Sequence, residues 1–406
     1  MQHYDIAIVG NGLVGSCLAQ LLQQQTPFRI ALIGDKAPDT LVQSNRVCAF
    51  NQLSLAIFAY TGLADFIQQP RHGHYQKMAI YLDQMHQHAV HFSATEYGWP
   101  RLGCIAANTE VEAAWWQLLA ASNQVAHYHS TTTTDWRYEA DQHQVKLDSG
   151  DSITASVLIG ADGQRSWVRE QLGIPIDGGS YGQSAIVATL ETERPHEYTA
   201  RQIFFPTGPL ALLPLGDSHR FSIVWSSQQA VAEAYMQESD ADFSARLTKA
   251  ISSWYGQVKL HDKRHAFPLG YQHARRYAAH HAAILGDAAH TAHPLAGQGV
   301  NMSFLDAAVL ADQLALAAEG KQDMSAALRR YQIIRRRENR AWITAMGQLH
   351  RSFTTSSSMT RCVLGMGMDG LEQTSSGKRA LARYALGRPQ DLPARIRDSV
   401  LGWMPQ

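Results

Sequence analysis

The sequence has little of what marks secreted, metal-cluster or membrane-spanning proteins. Its four cysteines, Cys17, Cys48, Cys104 and Cys362, stand far apart and form no CxxC pair. This spacing excludes a disulfide framework or a cysteine-rich zinc site and fits a reducing compartment. The opening stretch "MQHYDIAIVGNGLVG" lacks the positive segment of a signal peptide, and no apolar run approaches the roughly 20 residues of a membrane span. We expect a cytoplasmic protein, with attachment to the surface of the inner membrane left open.

Net charge is also absent, because 35 basic and 35 acidic side chains balance. The protein therefore has no global attraction to nucleic acid, and no nucleic-acid partner is predicted. Its 406 residues allow one large or two ordinary domains. Nothing in the composition decides whether the chain forms a homo-oligomer.

The N-terminal segment shows a strand, a glycine-rich turn, a helix and a second strand. Apolar runs at 4–10 and 28–34 are typical of buried parallel strands. Between them, Gly10, Gly12 and Gly15 form a GxGxxG pattern, and Asp35 follows twenty residues after Gly15. Such glycines allow a tight turn and bring a pyrophosphate to the backbone N–H groups of the helix, while the acid binds a ribose. The segment predicts a dinucleotide site.

Two later apolar runs, 155–163 and 281–290, also end in an acid, Asp162 and Asp287. Between them, 185–226 contains short strands separated by Pro, Gly and Asp, which predicts an antiparallel sheet. Helices are predicted from Gly299 to Gly320 and over 323–350. The pattern predicts an α/β fold in which a Rossmann-like nucleotide-binding domain carries an inserted antiparallel β-sheet substrate domain and a C-terminal helical segment. The nucleotide-binding domain is assigned 1–75, 101–180 and 269–350, the substrate domain 76–100 and 181–268, and the C-terminal segment 351–406.

A second GxGxxG, at Gly365, Gly367 and Gly370, lacks a preceding strand. We interpret it as small residues of a C-terminal helix, so only one tightly bound dinucleotide is expected.

His290 and His293 have HxxH spacing, but no third ligand stands at helical spacing, and no metal is predicted. His290 is expected to be structural, donating to the backbone, and His293 has no assigned role. The basic segment 329–340 is interpreted as a solvated helix face, with contact to anionic lipid or a partner protein as the alternative.

In order and spacing, the segments around Gly10, Asp162 and Asp287 resemble the flavin-dependent aromatic hydroxylases of the para-hydroxybenzoate hydroxylase type over residues 4–350. Within them, "HPLAGQGVN", "ARQIFFPTGPLALLPLGDSHRFSIVWS" and "SWVREQLGIP" resemble the ubiquinone-biosynthesis hydroxylases. The resemblance implies FAD as cofactor and NAD(P)H as co-substrate. It also implies O2 captured as a C4a-hydroperoxide and hydroxylation of a polyprenylated phenol or quinol, in association with a membrane or a biosynthetic complex.

"SIVWS" and "DLP" favour the C5 position of the ring, and C6 hydroxylation of a methoxy-benzoquinol is the alternative. A flavin-binding scaffold without activity is a second alternative. A flavin-dependent halogenase would carry a WxWxIP segment, which the chain lacks.

The resemblance also assigns cofactor-binding residues. The GxGxxG glycines would hold the pyrophosphate, Asp35 the adenosine ribose, and Asp287 the ribityl chain. This sequence departs from the family pattern at one position. The family acid usually follows the second strand directly, whereas this chain has Gly34 there. The remaining cofactor residues are Arg46, Asn108, Asp162, Gly163 and, bordering the isoalloxazine, Pro294, Gly297, Gln298, Gly299, Val300 and Asn301.

A helix starting near Gly299 would point its positive end at the flavin N1–C2=O edge. Apolar residues of the inserted sheet are expected to wall the substrate, with ordinary core packing as the alternative. No residue stands out as a catalytic base. The expected wall residues are Phe204, Phe205, Leu210, Leu212, Pro214 and Trp225.

Overall fold

The computed structural model describes residues 1–37, 46–82, 88–354 and 357–400. The strands are β1 (Gln2–Val9), β2 (Ile30–Ile33), β3 (Val47–Asn51), β4 (Gly73–Tyr75), β5 (Lys77–Tyr81), β6 (Ala89–Ser93), β7 (Gly103–Ala107), β8 (Val125–Tyr128), β9 (Thr133–Glu139), β10 (Gln142–Leu147), β11 (Ser152–Gly160), β12 (Ile176–Thr192), β13 (Thr199–Phe205), β14 (Gly208–Pro214), β15 (Arg220–Gln228), β16 (Val258–Leu260), β17 (His265–Ala274), β18 (Ala278–Ala279), β19 (Ala282–Ile284) and β20 (His290–Thr291). The α-helices are α1 (Leu13–Gln25), α2 (Gln52–Tyr60), α3 (Ala64–Gln68), α4 (Asn108–Ala120), α5 (Trp167–Gln171), α6 (Gln229–Gln237), α7 (Asp240–Tyr255), α8 (Gln298–Ala318), α9 (Met324–Phe353), α10 (Ser358–Gln373), α11 (Ser375–Leu386) and α12 (Ala394–Ser399).

The first sheet contains the predicted N-terminal βαβ unit. Its main path runs β18-β19-β11-β1-β2-β8, with β10 and β9 added at β11. β1 pairs in parallel with both β11 and β2. Ile6, Ala7 and Ile8 are fully buried, as expected of parallel strands covered on both faces. α1 packs against α4 and α8 over this sheet.

The second sheet is the predicted inserted sheet. Its main path runs β20-β17-β12-β15-β14-β13-β5-β6, and its central pairs β12–β15, β15–β14 and β14–β13 are antiparallel. One face packs on α6 and α7 through a cluster that includes Ile223 and Phe243. The other face contributes Phe204 and Phe92 to a separate cluster with Phe353 of α9. The α/β class with an inserted sheet and C-terminal helices is confirmed, while the residue boundaries of the domains stay a prediction.

α8 is long and apolar enough, by length and composition, to cross a membrane. Most of its apolar stretch is buried inside the protein, where it contacts α1, α2 and α9. It therefore serves as a central helix of this fold.

A buried carboxylate joins α8 to its neighbours. Asp306 is fully buried, and its Oδ2 accepts hydrogen bonds from Nε2 of His290 at 2.5 Å and from the backbone N–H of Gly286 at 3.2 Å. Its Oδ1 accepts from Nε of Arg335 at 2.7 Å and from Nδ2 of Asn339 at 2.9 Å. Burial alone would raise the pKa of Asp306, but the charges and hydrogen bonds of His290 and Arg335 hold it at about 2. The partner of His290 Nε2 is therefore a carboxylate, and a backbone partner for the other ring nitrogen stays a prediction.

The basic segment 329–340 is only partly the solvated face that the sequence suggested. Arg335 and Asn339 are buried because they face Asp306, whereas Arg329 and Arg330 are exposed. The second GxGxxG lies inside α10, as predicted, with no strand before it in the described part of the C-terminal segment.

We predict that Asp306→Asn lowers the free energy of unfolding by about 3–5 kcal/mol, because the Arg335 charge stays buried without its partner. The wild type should lose this contribution as the pH falls from about 4, the unfolded-state pKa of an Asp, through about 2. This follows because a lowered pKa stabilises the fold only while the carboxylate is ionised. Urea unfolding across pH measures both effects. Asp65→Asn, at an exposed position, should change stability by less than about 0.5 kcal/mol; an equal loss in the two variants would contradict the prediction.

Candidate functional site

Three neighbouring parallel strands end at one edge of the first sheet. β1, β11 and β19 lie side by side and are followed by Gly10, Asp162 and Asp287 respectively. Backbone hydrogen bonds continue past the strands, since Ala161 donates to the Val9 carbonyl at 2.7 Å. Ligands of open α/β sheets bind at such carboxyl edges. The three motifs that are far apart in sequence are therefore brought together.

Gly10 and Gly15 are required by the packing of the first turn. Gly10 has φ +110°, and a Cβ there would lie 2.2 Å from the Ala161 carbonyl oxygen. A Cβ on Gly15 would lie 1.8 Å from the Gly10 oxygen. Gly12 differs, because the atoms nearest to its Cβ position are Oε1 of Glu112 and Nζ of Lys36, at 3.4 and 3.7 Å. The turn thus opens onto a charged recess at the start of α1.

Glu112 and Lys36 form that recess, and sequence reasoning missed both. Glu112, on α4, is buried, and its Oε1 accepts from the Leu13 backbone N–H at 3.1 Å and from Lys36 Nζ at 2.8 Å. A carboxylate therefore sits at the N–H groups of the helix N-terminus, where the helix dipole favours an anion. Glu112 stands 99 residues from Leu13, so no local spacing could have indicated the contact.

The packing around Gly34 explains why no acidic side chain follows the second strand directly. A Cβ on Gly34 would lie 2.0 Å from Oδ1 of Asn11, whose Nδ2 donates to the Lys36 carbonyl at 2.7 Å. The Asn11 side chain thus fills the space that a larger residue at 34 would need. Asp35 is exposed, and its contact with a ribose stays a prediction.

Several buried acceptor oxygens on these elements have no partner among the described residues. They are Oδ1 of Asn11, Oδ1 of Asn108 and Oδ1 of Asp162. The other oxygen of Asp162 accepts from the Val168 N–H at 3.0 Å, and burial raises the pKa of this carboxyl. Buried acceptors are costly when unsatisfied. The hydroxyl-rich ribose and ribityl chain of FAD would supply donors, so these residues fit the cofactor that the resemblance implies.

Asp287 and Arg46 lie near each other at the same edge. The Asp287 side chain is accessible to solvent, yet the surrounding protein raises its pKa, while the charges of His290 and Arg46 act in the opposite direction. An accessible carboxylate surrounded by protein lies in a concave surface. The Arg46 guanidinium also lies 5.8 Å from the ring centre of Phe267 on β17, which places it beside the second sheet.

The loop before α8 contains one glycine that needs its positive φ and one glycine that faces free space. Gly297 has φ +61°, and a Cβ there would approach the Ala49 Cβ to 3.2 Å, whereas a Cβ on Gly299 would meet nothing within 4 Å. Pro294 begins the short helical turn Leu295–Gly297 that leads into α8. Open space therefore borders the first turn of α8, and Gly163 is similarly open.

Asn301 and Gln298 hold this loop from within the protein. Oδ1 of Asn301 accepts from the Asn51 N–H at 2.9 Å and from Ser54 Oγ at 2.6 Å, and its Nδ2 donates to the Ala49 and Gly297 carbonyls at 2.9 Å. Gln298 is buried beside Asn51, with 3.4 Å between its Oε1 and Asn51 Nδ2. Val300 packs on the main core. These side chains therefore position the loop, and a border with the isoalloxazine stays a prediction for its backbone.

His293 connects the loop to two other parts of the chain. Its Nε2 lies 3.1 Å from Oε1 of Gln183, which also accepts from Nε2 of His350 at 2.8 Å. Burial and the nearby His350 lower the pKa of His293 to about 3, so the ring is neutral. His290 and His293 thus have different partners, and within the described residues no three His, Cys, Asp or Glu side chains gather as metal ligands would.

The expected substrate wall is divided between the two faces of the second sheet, because alternate residues of a strand point to opposite sides. Phe205, Leu210, Leu212 and Trp225 belong to the cluster with α6 and α7, and Pro214 pairs in register with Phe221 of that cluster. Phe204 alone belongs to the cluster that contains Leu295, the neighbour of Pro294. We therefore restrict the proposed wall to Phe204 and assign the others to core packing.

We predict that Gly299→Ala lowers the affinity for FAD at least fivefold without destabilising the apoprotein. The added methyl group meets no protein atom and would instead project into the space assigned to the flavin. Fluorescence titration of apoprotein with FAD, together with apoprotein melting, measures the two effects. Gly297→Ala is the contrasting variant, because its positive φ makes the apoprotein itself less stable, by about 1 kcal/mol or more. Unchanged FAD affinity in Gly299→Ala would place the flavin elsewhere.

We predict that Glu112→Gln tightens FAD binding about tenfold, whereas Lys36→Met weakens it by a similar factor. A pyrophosphate bound at the start of α1 would share it with the Glu112 carboxylate, and Lys36 is a cation in contact with that carboxylate. Removing the acid removes a repulsion, and removing the cation removes an attraction. Affinity measured at low and high salt checks the electrostatic origin, because screening should shrink both changes. Weaker binding in Glu112→Gln would show that the acid supports the cofactor.

Comparisons with known proteins identify the family of the chain. A sequence model of the FAD binding domain family matches residues 3–345. The chain is 32% identical over 392 residues to 3-demethoxyubiquinol 3-hydroxylase of Escherichia coli, covering 95% of this chain and 99% of the relative. It is 30% identical over 390 residues to ubiquinone hydroxylase UbiL of Rhodospirillum rubrum, covering 94% and 89%. The identity to human ubiquinone biosynthesis monooxygenase COQ6 is 29% over 435 residues, covering 94% and 92%.

Solved structures share the fold at lower identity. The p-nitrophenol 4-monooxygenase PnpA of Pseudomonas putida superposes with a TM-score of 0.79 at 17% identity, over 95% of this chain and 99% of that one. HpxO of Klebsiella pneumoniae, complexed with FAD and uric acid, has a TM-score of 0.73 at 17% identity, over 96% and 97%. The sequence match spans most of the chain, and the strand edge offers the glycines and acceptors that FAD needs. The chain therefore belongs to the FAD binding domain family and is an FAD-dependent monooxygenase.

Proposed function

We propose that the protein hydroxylates the ring of a polyprenylated phenol or quinol of ubiquinone biosynthesis, with NAD(P)H as reductant and O2 as oxygen source. The observation that carries this proposal is the similarity, over nearly the full length of the chain, to relatives named as a demethoxyubiquinol hydroxylase, a ubiquinone hydroxylase and a ubiquinone biosynthesis monooxygenase. The substrate wall and the open loop at Gly299 support it.

FAD, when bound, takes the reducing equivalents of NAD(P)H and activates O2. The residues of this chain bind and orient it. The turn from Gly10 to Gly15 and the first N–H groups of α1 would hold the pyrophosphate, and Asp287 with Arg46 would contact the ribityl chain. The positive end of α8 would stabilise negative charge on the flavin ring.

The second sheet supplies the substrate side. Phe204 lies in an apolar cluster with Leu295, which follows Pro294 in the loop that borders the open space at Gly299. An apolar wall keeps water from the reacting ring and favours transfer of oxygen over wasteful side reactions.

For the ring position we propose C5, on the segments "SIVWS" and "DLP". C6 hydroxylation of a methoxy-benzoquinol is the second candidate, because the Escherichia coli relative is named for a demethoxyubiquinol.

We predict that the purified protein is yellow, releases FAD on denaturation, and oxidises NAD(P)H faster when a prenylphenol is added, giving a product one oxygen atom heavier by mass spectrometry. Gly10→Ala, which combines φ +110° with a 2.2 Å clash, is the FAD-deficient control and should lack both colour and activity.

Complementation distinguishes the ring positions. Restored ubiquinone in a strain lacking the C5 hydroxylase supports the first candidate, and rescue only of a C6-deficient strain supports the second. FAD-loaded protein without substrate-stimulated oxidation, and without rescue of either strain, would show a scaffold instead.

A further inference from the structure

The outer face of α10 carries a stripe of large apolar side chains exposed to solvent. Met359, Val363 and Met366 are 79%, 58% and 59% exposed. Their spacing of four and three residues places them on one side of the helix. Single exposed apolar residues are common, but a continuous stripe on one helix marks an interaction surface. We call these three residues the α10 stripe.

The α10 stripe is held outward by contacts of the opposite face. Asp369 contacts Nδ1 of His88 at 2.9 Å, and Glu372 accepts from the His91 backbone N–H at 2.9 Å next to β6. Gly365 lies against His88 so closely that a Cβ would approach the ring to 2.6 Å. Turning α10 to bury its stripe would break all of these contacts, so the fold presents the stripe to an external partner.

The helix that follows the stripe helix, α11, contains three basic residues and no acid. α10 and α11 contain two acids, Asp369 and Glu372, and both are engaged, with His88 and with His91 and Lys378. Arg379 and Arg383 of α11 are exposed, and neither forms an ion pair with a described residue. Leu381, between them, is 41% exposed. Apolar side chains together with free cations match the surface of an anionic bilayer.

An apolar layer connects the stripe helix to the ring site. Met368 of α10 is buried in the cluster that also contains Phe353, Phe204 and Leu295. The rings of Phe204 and Phe353 are 4.2 Å apart. The cluster therefore runs from the inner face of α10 to the loop that carries Pro294.

We propose that the α10 stripe, with Arg379 and Arg383, docks the protein onto an anionic lipid bilayer. In this orientation the apolar layer beneath α10 lies between the bilayer and the ring site, as a substrate with a membrane-held prenyl chain requires. The orientation of the layer rests on the proposed function, whereas docking itself does not depend on it.

Flotation of the full-length, FAD-loaded protein tests the docking. The probes are vesicles of phosphatidylcholine with and without phosphatidylglycerol. Wild type should float with the anionic vesicles, and Val363→Glu/Met366→Glu should lower the bound fraction at least tenfold, because each buried apolar side chain contributes about tenfold or more. Arg379→Gln/Arg383→Gln should weaken binding to anionic vesicles several-fold and leave binding to neutral ones unchanged.

Ile333→Glu is the matched control. Ile333 is 67% exposed on α9, among the basic residues of 329–340, so it tests the rival surface with the same chemical change. Wild-type flotation of this variant supports the proposal, whereas its loss together with normal flotation of Val363→Glu/Met366→Glu would overturn it. Absence of flotation by the wild type overturns it as well. The proposal is also overturned if light scattering shows a dimer that the stripe substitutions dissociate and the protein binds no vesicles.

Turnover separates this inference from the proposed function. A stripe variant should keep its activity on a water-soluble phenol with a short prenyl chain and lose activity on a long-chain phenol in vesicles. If neither phenol is hydroxylated by the wild type, the proposed function fails, and the flotation result still decides the docking.

Discussion

The interaction on which the rest of the structure depends is the buried ion pair between Asp306 and Arg335. It lies between α8 and α9, and the same carboxylate accepts from the Gly286 N–H and from His290. Gly286 and His290 flank Asp287 at the end of β19. One side chain on a central helix therefore fixes the position of the third strand-end motif relative to α8.

A buried ion pair of this kind adds little to the net free energy of unfolding, but it favours one packing arrangement of the two helices over others. The desolvation of Asp306 and Arg335 costs several kcal/mol, which their attraction and the added bonds from His290 and Asn339 offset. An alternative packing of α8 on α9 would leave one of the charges without its partner. The network thus selects one register of the two helices, and the loop from Pro294 to Gly299 inherits that register because it leads directly into α8.

The sequence predicted what is local and missed what is distant. Gly10, Gly12 and Gly15 lie in one turn, and the GxGxxG spacing alone predicts its backbone conformation. The strands before Asp162 and Asp287 are predicted by their apolar runs. Gln183 and Glu112 carry no such signal, since their partners stand 110 and 99 residues away. Gly34 shows the same limit, because the reason for glycine there is the Asn11 side chain that packs against it.

The face of the second sheet that could form the substrate wall was not predictable for a different reason. The strands were identified correctly, but alternation alone does not say which face of a sheet turns toward the cofactor, and both faces of the second sheet are buried. What settles the face is a covering element supplied from elsewhere: α6 and α7 on one side, and α9 to α11 on the other.

One contact between the second sheet and the loop before α8 passes through an amide oxygen. Gln183 accepts from both His293 and His350, so β12, the loop before α8 and the end of α9 meet at one point. An amide oxygen only accepts hydrogen bonds, so each imidazole carries a proton on Nε2 and donates it to this oxygen. The same atom therefore orients both rings. Because His293 adjoins Pro294, any shift of the sheet relative to the loop must either carry Gln183 along or break this bond. The Gln183 contact therefore helps to hold β12 beside the loop before α8, which gives His293 the structural role that its position in the sequence did not reveal.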